Sequence, residues 1–180
     1  FRCDDDHAGD DDVGSDDVFK DAVLVRNIHL PVVCVSRKLK DHLRDVIKNK
    51  YEGRCVEEGY VRVDSVKNVV YSSGLIHSLT VEYHVTFECK VCYPVEGMEL
   101  ACYAKDVTKA GVRAEIYPDD SPEDSKPMVL HILRDHHYNK TDINDISKGD
   151  RIRVRCIGTR FELNDTFVSV IAEYLGPFVP

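Results

Sequence analysis

The chain has 180 residues, 43% hydrophobic and 31% charged, with a formal net charge of −8. That is room for one medium domain or two small ones, and the longest apolar runs, 30–35 and 66–71, are far too short to span a membrane. The acidity is local: residues 1–17 hold eight aspartates against one arginine, residues 18–94 hold 12 basic against 9 acidic groups, and residues 95–180 hold 11 against 15.

Residues 1–17, with their DDDHAGDDD block, have too little apolar area to offset the entropy of ordering them, so an acidic disordered tail is expected. Two roles stand open for it: a solvated extension, or a nucleic-acid mimic occupying a basic groove on a partner. A secretory signal starts basic and then turns apolar, which this segment does not, so a soluble intracellular protein is expected. Seven cysteines, at 3, 34, 55, 89, 92, 102 and 156, are odd in number and scattered, which fits a reducing compartment. Cys89 and Cys92 form a CxxC, but they fall in a segment that reads as strand, where side chains three apart point to opposite faces. A structural zinc site needs four converging ligands; the expectation is no metal and no cofactor.

Phe19 to His29 reads as a strand, with Val23 and Val25 alternating and Ile28 following less regularly, and Pro31 punctuates it. Ser36 is placed to cap a helix from Arg37 to Asn49 whose apolar face is Leu39, Leu43, Val46 and Ile47. Valine- and tyrosine-rich segments then predict strands over Gly53–Val56, Tyr60–Val70 and Leu79–Tyr93, with Ser72-Ser73-Gly74 turning the chain between the last two. One helix on an antiparallel sheet is a small α+β domain, expected over residues 18–94 and ended by Pro94.

The second half, residues 95–176, predicts strands at Met98–Val107, Val112–Ile116, Met128–Leu133, Arg151–Gly158 and Phe167–Tyr174. Lys109-Ala110-Gly111 is a tight turn, and a long polar segment after the third strand is expected to be partly helical near Ile143–Ile146. Five short strands with a long insertion before the fourth make the pattern of an all-β OB-fold barrel. Its closing hairpin alternates Arg151, Arg153 and Arg155 with Ile152, Val154 and Cys156, a strand with one wet and one buried face. Gly158 is expected to break that strand, and Asn164-Asp165 to turn it. Three arginines on one face of such a barrel point to nucleic acid.

Three blocks carry a wider resemblance: YEGRCVEEGYVRV (51–63), FECKVCYPVEGMELACYAKDVTKAGVRAEI (87–116) and GTRFELNDTFVSVIAEYLG (158–176). In order and spacing they resemble the larger stalk subunit of multisubunit DNA-dependent RNA polymerases, the seventh subunit in eukaryotes or its archaeal equivalent. The likeness runs from about Val18 to Gly176. The segments RDHHYN (134–139) and IGTRFELND (157–165) are more similar to versions encoded by large nucleocytoplasmic DNA viruses.

The resemblance implies an α+β tip domain followed by an OB-fold barrel, forming a noncatalytic subunit that docks on the polymerase core near the clamp, with a second, smaller stalk subunit as a further partner. It implies a place in the nucleus, or in a cytoplasmic viral factory and the virion. Docking is expected through the loops carrying Leu30, Pro31, Val70, Leu75 and Ile76, whose apolar side chains need burial somewhere. Weak, salt-sensitive contact with nascent RNA is expected from Lys105, Lys109, Arg113, Arg134, His136, His137, Arg151, Arg153 and Arg155. The first hairpin of the barrel has no aromatic to stack a base; Tyr103, Tyr138 and Phe161 stand as substitutes, as core or as rim. Pairing of the arginine face with local aspartates stays open beside RNA contact. Two other readings remain: a free-standing OB-fold RNA-binding factor in translation or RNA decay, and a metal-dependent nuclease centred on Arg134–Tyr138. The nuclease would need further converging ligands, and no phosphate loop or nucleophile elbow is present, so no catalytic residue is expected.

Overall fold

The computed structural model describes residues 18–116, 126–136 and 145–178. The expected acidic tail, most of the loop after residue 116, His137, Tyr138 and the start of the expected helical turn near Ile143 lie outside them. An N-terminal α+β unit is followed by a five-stranded closed barrel of OB type.

The N-terminal sheet is organised around one 13-residue strand, β6 (Thr80–Cys92), in which apolar residues alternate with more polar ones as far as Val91. Val81, Tyr83, Val85, Phe87, Cys89 and Val91 turn inward and are buried. The equally long β1 (Phe19–Pro31) pairs with one edge of β6 along its whole length. The other edge is shared by three short strands laid end to end: β5 (Leu75–His77), β4 (Lys67–Tyr71) and β3 (Gly59–Val61), with β2 (Cys55–Val56) outside β3. Helix α1 (Leu39–Tyr51) places Leu43 and Ile47, one turn apart, fully buried in a cluster with Leu24, Ile28, Val85 and Phe87. Tyr51 stacks on Phe87 at 6.0 Å between ring centroids.

Four local expectations change. Val23 and Val25 lie on the solvent face, 64% and 56% exposed, because the inward residues of β1 are Leu24, Ile28 and Leu30. The helix starts at Leu39; Ser36 Oγ accepts from the Lys38 amide at 3.2 Å, a local turn upstream of the helix, and gives no side-chain cap to it. The expected strand over Tyr60–Val70 is two strands separated by a turn, in which Asp64 takes a left-handed conformation (φ 55) and Ser65 Oγ donates to the Arg62 carbonyl at 2.6 Å. Gly158 sits at a register shift within a strand that continues to Arg160, a bulge where a break was expected.

The barrel consists of β7 (Glu99–Val107), β8 (Gly111–Glu115), β9 (Met128–Leu133), β10 (Arg151–Arg160) and β11 (Val168–Pro177). β7, β8 and β9 form an antiparallel meander; β11 joins β9 in parallel, and β10 closes the ring between β11 and β7. The Lys109-Ala110 turn works only with glycine after it. A Cβ on Gly111 would lie 2.2 Å from the Ile132 carbonyl oxygen.

The barrel core does not stop at the barrel. Its cluster takes in Val18, Phe19, Cys55, Tyr60 and Cys92 of the first half beside Leu100, Ile152 and Val154. Backbone bonds cross the same seam: the Cys55 amide donates to the Asp165 carbonyl at 2.7 Å, and the Asn164 amide to the Cys55 carbonyl at 2.9 Å.

Candidate nucleic-acid and partner interfaces

One end of the N-terminal sheet is apolar and open. The chain leaves β1 through Val32 and Val33 and returns into β6 through Leu79; the Val32 amide donates to the Leu79 carbonyl at 2.9 Å, which holds the two loops together. Val33 is 90%, Leu79 83% and Ile76 75% exposed, with Leu75 and Val70 also well exposed. Among the sequence-expected docking residues, Pro31, Val70, Leu75 and Ile76 are exposed, whereas Leu30 is buried in the core because it falls on the inward phase of β1. Val33 and Leu79 were not singled out. An apolar residue next to a proline or a turn was the available signal, since a turn is normally polar.

The second surface is the outer face of β7 and β10. Register sets Arg151 opposite Tyr103, Arg153 opposite Ala101 and Arg155 opposite Glu99. The arginine ladder is not bare. Arg153 Nη2 and Arg155 Nη2 each donate to Glu99, to Oε2 and Oε1 respectively, both at 2.9 Å. Hydrogen bonds from Arg155 and Arg153 hold the Glu99 carboxyl below the usual carboxylate range. The local partner is therefore a glutamate from the first barrel strand, where aspartates were expected. Arg151 is used differently: its guanidinium lies 3.8 Å from the Phe178 ring centroid and 5.8 Å from that of Tyr103. Tyr103, 40% exposed, supplies an aromatic on the surface beside the arginines. Phe161 packs edge-on against Tyr93, at the junction of the two halves.

The remaining expected cations are spread over the barrel. Arg113 lies near the buried carboxylate of Glu115 at 3.5 Å, and Lys126 reaches the same carboxylate at 3.2 Å. His131 faces Arg113 across β8 and β9; burial first, then the Arg113 charge, lowers its pKa. Lys109 is exposed at the β7–β8 turn, and the Arg134 amide donates to the Ala110 carbonyl at 3.2 Å, which brings that turn and Arg134 together. Lys105 is exposed on β7. His136 ends a short 3-10 turn, and its side chain, like all of His137, lies outside the described residues. Glu99 and Phe178 are the members of this surface that sequence reasoning missed.

The two CxxC thiols face opposite ways: Cys89 joins the helix-side cluster and Cys92 the barrel-side cluster. Burial pushes their pKa values up to about 11 and about 12. Buried, protonated thiols are poor nucleophiles and poor metal ligands. Among the described residues no helix is long and apolar enough to cross a membrane.

An α+β unit sharing its core with an OB-type barrel, in this order, is the architecture implied by the resemblance to polymerase stalk subunits. Two relatives bear that resemblance out. The chain is 28% identical over 175 residues to DNA-directed RNA polymerase II subunit RPB7 of Glycine max, covering 88% of this chain and 95% of the relative. It is 24% identical over 148 residues to a protein of Acanthamoeba polyphaga mimivirus described as DNA-directed RNA polymerase subunit L376, covering 76% of this chain and 72% of the relative. No protein-family model matches the chain.

Proposed function

We propose that the chain is the larger, noncatalytic stalk subunit of a multisubunit DNA-dependent RNA polymerase, organised as a tip domain over residues 18–94 and an OB-fold domain over residues 95–176. The observation that carries this reading is the extent of the likeness to an RNA polymerase II subunit, which crosses both units and nearly the whole of the relative. The likeness to a mimivirus polymerase subunit supports a viral version, working in a cytoplasmic factory and carried in the virion; the plant relative supports the nucleus.

In this reading the apolar end formed by Val32, Val33, Ile76 and Leu79 inserts against the polymerase core near the clamp, where burial of each side chain is worth about 1.5–3 kcal/mol. A second, smaller stalk subunit is a further partner. The β7–β10 face and the Lys109–Arg134 corner lie toward the emerging transcript and contact it weakly, through phosphates first and stacked bases second.

Val33→Asp with Leu79→Asp tests the docking half. Both side chains are exposed in the free chain, so its melting temperature is expected to stay unchanged while co-purification with the largest polymerase subunits is lost. Retention of those subunits at wild-type stoichiometry would contradict docking through this end.

A further inference from the structure

We propose that Arg153 and Arg155 form a phosphate clamp on the barrel in which Glu99 is a built-in competitor, set there to keep transcript binding weak. This deepens the RNA-contacting reading above and rests on it.

The geometry is that of a held but unsaturated pair. An arginine facing an isolated carboxylate commonly makes two parallel bonds. Here each guanidinium makes one, through Nη2, and each carboxylate oxygen takes one guanidinium. The three groups carry a net charge of +1 and stay in contact with water: side-chain exposure is 38% for Glu99, 51% for Arg153 and 46% for Arg155. Exposed pairs of this kind are screened by water and salt and hold only weakly. A phosphodiester presents two terminal oxygens of the same charge type to the same two forks, so exchanging the carboxylate for it loses little.

The neighbourhood supplies the second part of a single-strand site. Two residues along β10, about 7 Å at strand rise, Arg151 lies between Tyr103 and Phe178. Bases stack on aromatic and guanidinium planes with little sequence preference. Glu173 stands opposite Arg155 on β11 and adds a second negative charge at the far end.

The test compares four full-length chains: wild type, Glu99→Gln, Arg153→Gln with Arg155→Gln, and the triple variant. Binding to an oligouridylate of about 16 nucleotides is read by fluorescence anisotropy across a salt series. Arg153 and Arg155 are exposed and Glu99 is half-buried with its carboxylate in contact with water, so neutral amides at these positions leave folding intact. Glu99→Gln is expected to bind about threefold to tenfold more tightly near physiological salt, with a steeper salt dependence by about 0.7 log units per additional phosphate engaged. The double arginine variant is expected to bind more weakly than wild type, and the triple variant to match it, since Glu99 acts only through the arginines. An unchanged or weakened Glu99→Gln overturns the proposal. So does a gain that survives in the triple variant, which would mark a general charge effect. A gain toward polyglutamate without one toward RNA would assign the face to an acidic protein and overturn it as well. Co-purification of each variant with polymerase subunits is scored separately. Failure there with the clamp intact removes the stalk reading and leaves RNA binding, whereas the reverse removes the clamp alone.

Discussion

His131 shows how a single side chain couples the barrel surface to pH. Burial and the neighbouring Arg113 lower its pKa from the usual value of 6.5, so the unfolded chain takes up a proton before the folded one does. Its contribution to stability is full above that unfolded value and is lost as pH falls through the folded pKa. Thermal melts between about pH 7 and about pH 5 should therefore drop less steeply for His131→Gln than for wild type; equal slopes would show that other groups carry the acid sensitivity. The arginines at 151, 153 and 155 were legible from the sequence because alternation alone fixes their face. Their partner was not, because Glu99 lies more than fifty residues upstream and only barrel closure brings it across. Leu30 failed for the opposite reason: proximity to Pro31 suggested a loop, while the strand phase set by Leu24 and Ile28 carries it inward.

At the level of elements, the helix of the first half is held by packing. Its apolar side contributes Leu43 and Ile47, both with no exposed surface, and no side-chain cap supports its start. Leu43→Ala should cost about 2–5 kcal/mol in denaturant unfolding, with the slope unchanged; a loss below about 1 kcal/mol would show that the helix is not anchored by this face. The long β1 and β6 were readable because apolar and polar residues alternate over a full strand length. The segment after Tyr60 was not: it stays rich in valine on both sides of Asp64-Ser65, and the turn is made by an aspartate in left-handed conformation and a serine bonded to the backbone. The same holds at Gly158, where the barrel needs a bulge to curve and the strand survives the glycine.

Over the whole molecule, the two units are joined by more than a linker. Phe19, Tyr60 and Cys92 pack into the barrel cluster, and Cys55 exchanges backbone bonds with Asn164 and Asp165. β1 runs from Phe19 in that shared core to Pro31 beside the apolar end, so one strand joins the barrel seam to the exposed Val33 and Leu79 loops. That arrangement suits the proposed docking through the apolar end and the proposed contact of the β10 face with transcript. The order of a helix-on-sheet unit before a barrel was legible from strand spacing; the shared core was not, since no local pattern distinguishes a residue buried within one unit from one buried between two. Membership of a polymerase is tested most directly by purification of the tagged chain from the cells or virions that encode it, with stoichiometry of everything recovered. Recovery in equal amounts with the two largest subunits of an RNA polymerase is the predicted result. Recovery alone, or with ribosomes or nucleases, would contradict it.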